Sequence, residues 1–234
     1  MEQKRIATHH PLGMLLKDAI FGVNDGTVSM LALIAGLSAA AMSHQVIVIS
    51  AVAEAFAGAL SMAFGSYIST KSQMEFLKHE LHDESLAVQR KPRLEKQHLI
   101  DIYKRKGFSG KELEKIVAQI MSNRQVWEDV MQREELGFSK TILQNPLQGG
   151  LVMFFSFLVA SFIPLLPFFY TTIGHLAFSI AIFNGIVLLF VVGVGKTSFT
   201  GRHPLRSGLE MVMIGSIATA LAYGVGTYLP LLWT

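Results

Sequence analysis

Two carboxylates, Asp25 and Glu54, sit inside apolar segments long enough to cross a bilayer, AIFGVNDGTVSMLALIAGLSAAAM (19–42) and VIVISAVAEAFAGALSMAFGSYI (46–68). A carboxylate at membrane depth is energetically expensive, and such residues mark ion or proton paths. Helical spacing adds a softer donor: Glu54, Gly58, Ser61, Met62 and Gly65 fall on one face, as do Gly22, Asp25, Ser29, Ala32 and Gly36. Small residues along both stripes let helices approach closely. Two carboxylates and a thioether on such faces could line a narrow polar path for a cation. The plainer alternative is tight packing around hydrogen-bonded acids, and Met62 taken alone reads as a core residue.

A second set of donors lies in the polar stretch that follows. Glu80, Asp83 and Glu84 share one helical segment, and Glu95, His98 and Asp101 are spaced by three on the next. Glu128, Met131, Glu134 and Glu135 fall on a third. Oxygen donors with one imidazole and one thioether suit divalent ions of intermediate softness. The same acids also fit a solvated helix surface, as do His79 and His82. His9 and His10 read as part of a polar tail, and Asn184 and Glu210 as groups that hydrogen-bond between helices. There is no GxxxxGK[ST], no GxGxxG and no nucleophile–His–acid set, which argues against ATP-driven pumping or hydrolysis by this chain. No prosthetic group is expected.

The elements that must position these residues follow from hydropathy and charge. The chain has 234 residues, 51% hydrophobic and 16% charged, with a mean hydropathy of +0.43, which fits a multi-span membrane protein. Residues 71–140 hold 14 of the 20 Lys/Arg and 12 of the 17 Asp/Glu. The net charge of +3 does not indicate nucleic acid, because the basic residues are interleaved with acids. With no cysteine, disulfides, iron–sulfur clusters and thiolate metal sites are excluded.

Five stretches reach the length of a spanning helix, about 19–42, 46–70, 148–171, 175–196 and 207–232. Pro164 and Pro167 should kink the third. The first is too long for a signal-peptide core and reads as a retained span. Every Lys and Arg falls on one side of a five-span arrangement, which makes that side cytoplasmic. The expected fold is an all-α membrane protein with five transmembrane helices and a cytoplasmic helical insert between spans two and three. The N-terminus and insert lie inside and the C-terminus outside.

Within the insert, residues 71–90 continue the second span without Gly or Pro until Pro92, and 93–106 form a helix ended by Gly107. Ser109 and Glu112 suggest a capping box for the next helix. A turn at Asn123 precedes the last helix, which should end at Gly137. The domain boundaries are 1–72 for the tail and first two spans, 73–143 for the metal-binding insert and 144–234 for spans three to five.

FGVNDGTVSMLALIAGLSAA, AEAFAGALSMAFGSYIS and WEDVMQREELGF resemble the vacuolar iron transporter family over almost the whole chain. The resemblance implies a homodimeric five-helix exporter of Fe²⁺, and often Mn²⁺, driven by proton antiport, with its path along the dimer interface. Asp25 matches the family's span-one aspartate, Glu54 its span-two glutamate, and Met62 the methionine that follows. Glu84, Met131 and Glu135 match ligands of the insert. Where the family usually has glutamates this chain has Ala87, His98 and Asp101, and Gln132 stands where a second methionine is frequent. His98 and Asp101 can still coordinate a metal; Ala87 cannot.

The expected path is therefore capture of Fe²⁺, Mn²⁺ or Zn²⁺ by Glu80, Glu84, His98, Asp101, Met131 and Glu135, then transfer to Asp25, Glu54 and Met62. Protons arriving at the same carboxylates from the far side would release the ion. The expected partners are the metal ions, protons, the lipid bilayer and a second copy of the chain, with no nucleic acid. The short termini favour a bacterial plasma membrane over a vacuolar one. The alternatives are a membrane-anchored metal sensor or scaffold without transport, and an iron oxidase. The oxidase is disfavoured because no Glu-x-x-His pair from a di-iron bundle is found.

Overall fold

A computed structural model describes residues 9–135 and 145–232, which are helical throughout apart from short turns, with no strand among them. The helices are α1 (His9–Ala39), α2 (His44–Arg90), α3 (Pro92–Arg105), α4 (Gly110–Met121) and α5 (Arg124–Glu135), then α6 (Pro146–Leu165) and α7 (Pro167–Tyr170). They continue with α8 (Gly174–Gly195), α9 (Thr197–Thr200) and α10 (Pro204–Tyr228), which ends in a 3₁₀ turn, Leu229–Leu232. Five segments are long and apolar enough to span a membrane: Leu15–Ala39, His44–Arg90, Pro146–Leu165, Gly174–Thr200 and Pro204–Leu232. Residues 11–68 and 145–232 form one compact unit, and 69–135 belong to a second.

In the spanning unit α1 is the most buried of the five segments and α10 the least. Met30 and Ile34 of α1 pack with Ala51 and Ala55 of α2, Leu165 and Phe168 of α6 and α7, and Ala177 and Ala181 of α8. Leu31 packs with Leu189 of α8 and Met211 of α10. The alanines sit a helical turn apart, so their helices approach without interlocking large side chains. Outward, Phe56, Leu60, Phe64 and Ile68 of α2 and Phe183, Val187 and Val191 of α8 are exposed, an apolar surface of the kind lipid covers.

α2 runs unbroken for 47 residues, roughly 70 Å at 1.5 Å per residue, about twice what a hydrocarbon core requires. It stops at Arg90 because Pro92 disfavours helix in Lys91, and Pro92 then opens α3 as its first residue. The proline pair of the third span does more than kink it. Pro164 is held inside α6, but α6 ends at Leu165 and Pro167 starts the separate four-residue α7.

Two helix ends use the same closure. After α3, Gly107 N donates to Lys104 O (2.9 Å) and Phe108 N to Tyr103 O (3.2 Å), with Gly107 at φ 96°. After α1, Ala41 N donates to Ser38 O and Met42 N to Leu37 O, both at 3.1 Å, but the left-handed position is Ala41, at φ 54°. A Cβ in that conformation costs about 1 kcal/mol. Ala41→Gly should therefore raise stability by up to about 1 kcal/mol, read as a higher melting temperature in detergent.

In the second unit, α3, α4, α5 and the 69–90 part of α2 close around Val88, Leu99, Ile102, Leu113, Val117, Ile120, Trp127 and Met131, all buried. Asn123 caps α5, its Oδ1 accepting from Gln125 N at 2.9 Å and Val126 N at 3.3 Å. The expected capping box at α4 is absent. Ser109 is extended but makes no side-chain cap bond, and the chain turns into the helix through Gly110 at φ 55°. Gly137 lies outside the described residues.

Candidate functional site

Asp25 and Glu54 are each half-buried, on α1 and α2, and Met62 is half-buried two turns beyond Glu54. Their surroundings are set by α6. A Cβ on Gly26 would lie 2.5 Å from Phe157 O and 2.9 Å from Ser161 Oγ; one on Gly22 would lie 2.9 Å from Ser156 Cβ. The glycines flanking Asp25 thus set α1 flush against the α6 backbone. Ser161 secures this contact: its hydroxyl lies 2.8 Å from Phe157 O and 3.2 Å from Gly26 O, sharing one proton between two carbonyls. Thr27 donates back to Val23 O at 2.7 Å, satisfying another hydroxyl within α1.

The same Phe157 reaches α2 through its ring. A Cβ on Gly58 would lie 2.5 Å from Phe157 Cζ, and 3.3 Å from Glu54 Oε1. Phe157 is 2% exposed, so the ring is wedged over Gly58 beside the Glu54 carboxylate. One residue therefore supports the neighbourhoods of both acids, its backbone at Gly26 and its ring at Gly58. Carboxylates held on such a packed support present oxygens that can take either a cation or a proton.

The insert residues divide differently from the expectation. Glu95 is 4% exposed and its Oε2 lies 3.4 Å from His98 Nδ1. Met131 is fully buried. Glu84 is half-buried with Oε1 shielded from solvent, and Glu80 is half-buried. Asp101 is exposed and accepts from Gln97 Nε2 at 3.1 Å. Each step of three residues falls about 60° short of a full turn, so Asp101 is rotated well away from the inward Glu95. Gln132, 5% exposed, donates to Leu81 O at 3.1 Å and ties α5 to α2. Glu134 pairs with Lys106. Arg124 donates to Glu128 at 2.9 Å, and this hydrogen bond holds the Glu128 carboxyl below the ordinary carboxylate range. The Glu135 side chain lies outside the described residues. Among the described residues no three His, Asp or Glu side chains gather into a group that could hold a metal ion.

The family model described as the VIT family matches residues 16–227. The chain belongs to the VIT family. Among curated members, it is 35% identical to vacuolar iron transporter 1 of Arabidopsis thaliana over 92% of this chain and 86% of that protein. It is 33% identical to a vacuolar iron transporter of Centaurea cyanus, covering 93% and 89%. The vacuolar iron transporter of Plasmodium berghei is 32% identical, over 95% and 85%.

The VIT family match takes in Asp25, Glu54, Met62 and the whole insert. Phe157 was not singled out from the sequence, and Glu95 was named as a donor without its spacing to His98 being weighed as a Glu-x-x-His pair. The expectation that no Glu-x-x-His pair is present is corrected by Glu95 and His98 in EKQH; the step occurs once, whereas a di-iron bundle needs it on two helices. Phe157 carries no signal in an apolar span rich in phenylalanine.

Proposed function

We propose that this chain carries Fe²⁺ out of the cytoplasm, with Mn²⁺ as a second substrate, in exchange for protons. The observation that carries the reading is membership of the VIT family together with Asp25, Glu54 and Met62 on two spanning helices; the relatives are named vacuolar iron transporters. Segregation of Lys and Arg supports a cytoplasmic insert, and hence loading from that side.

On this reading Glu80, Glu84, Glu95, His98, Asp101, Met131 and Glu135 draw in the ion by one or two donors at a time, since no three His, Asp or Glu gather among the described residues. Asp25 and Glu54 then neutralise its charge, and the thioether of Met62 favours Fe²⁺ over Ca²⁺ and Mg²⁺. A proton from the far side competes for the same oxygens and releases the metal. Ser61 and Gly65, exposed on α2, leave small residues against which a second copy can pack to enclose the path. The mechanism is the same in a plasma or a vacuolar membrane, since in each the ion leaves the cytoplasm.

Proteoliposomes test this. Fe²⁺ and Mn²⁺ uptake should rise when an opposing pH gradient is imposed, and the lumen should lose protons as metal enters. Uptake indifferent to the gradient would remove the antiport. Metal binding without any uptake would favour the sensor.

A further inference from the structure

Two histidines that the transport path does not use meet at one cavity in the spanning unit. The turn between α1 and α2 and the turn between α7 and α8 carry no Lys or Arg. Beside them lies a cavity of about 390 Å³ whose lining includes Ser38, Met42, His44, Phe168, His175 and Tyr223. The His44 ring is stacked on Phe168, with centroids 5.6 Å apart and planes at 27°, and Phe168 is itself 2% exposed. The imidazole is thereby held in place. Its Nδ1 is buried and meets no hydrogen-bond partner among the described residues. An atom closed to solvent does not line the cavity, so Nε2 is the ring nitrogen available to a ligand there.

We propose that His44 and His175, with the thioether of Met42, form a second site for a divalent first-row transition-metal ion. Imidazole and thioether suit Fe²⁺ and Zn²⁺ and discriminate against Ca²⁺ and Mg²⁺, which need oxygen. The lining holds no carboxylate, so the ion keeps its full charge there. Such a site binds weakly and exchanges quickly, as a station for release requires. Its place as the last step before release rests on the transport reading above; the binding itself does not.

The absence of cysteine makes the site directly testable, because a single introduced thiol is unique. A thiol at position 175 keeps a metal-ligating atom there. In the full-length H175C chain, Zn²⁺ should slow maleimide labelling about tenfold at a concentration about ten times its dissociation constant, following 1 + [L]/Kd. In H44A/H175C the protection should vanish, and in M42L/H175C it should weaken. Equal labelling rates without Zn²⁺ in the three chains would show that the cavity is intact. Absence of protection in H175C, or protection surviving H44A, overturns the site. Zn²⁺ held by the insert does not register at this thiol. The outcome is also separate from that of the transport reading, which is judged by metal uptake into proteoliposomes.

Discussion

Liposomes holding the Asp25→Asn chain are expected to take up Fe²⁺ no faster than empty liposomes, while the insert binds metal as before. The substitution is nearly isosteric. Asp25 sits between Gly22 and Gly26, where α1 lies flush on α6, so removing the charge leaves that packing in place. What is lost is compensation for a divalent ion. A unit charge about 4 Å from another is worth about 4 kcal/mol at an effective dielectric of about 20, and more for a doubly charged ion. That corresponds to at least about a thousandfold in occupancy of the path. Flux equal to the unaltered chain would take Asp25 out of the path. Lost flux with retained binding would separate a transporter from a sensor.

Phe157→Ala should be the most destabilising single truncation in the spanning unit, by about 3–5 kcal/mol if the space does not collapse. The ring is 2% exposed and fills the position a side chain at Gly58 would need. Lipid cannot reach that space, so the loss is of packing contacts made by the ring. Thermal unfolding in detergent reads the effect directly, and an unchanged melting temperature would mean that α6 settles into the gap. Transport should fall as well, because the ring lies beside the Glu54 carboxylate.

The five apolar stretches were legible because a spanning helix must be long and apolar whatever its neighbours are. The insert helices were legible because Pro92, Gly107 and Asn123 punctuate them. Their ends were less so. The first helix starts at His9 rather than near residue 19, since a polar sequence can extend a helix without a hydropathy signal. The proline pair at 164 and 167 was visible, but whether it bends a helix or ends it depends on packing around Phe168.

The site was legible only where a residue type is costly in its setting. Asp25 and Glu54 stand out against apolar spans, whereas Glu95 is one acid among twelve in residues 71–140 and only burial marks it. Phe157 was hidden for the opposite reason. On a helix that is apolar all round, periodicity does not separate the face toward protein from the face toward lipid.

The fit between Phe157 and Gly58 also constrains how the two positions can vary. Any side chain at position 58 occupies space the ring now fills, so the pair conserves a combined volume rather than two identities. Members of the VIT family with alanine or larger at the equivalent of Gly58 should carry a smaller residue at the equivalent of Phe157, and the exchange should appear as linked change across an alignment. Variation at Glu54 need not follow it, since on the proposed path the carboxylate answers to the ion and the volume to the neighbouring helix.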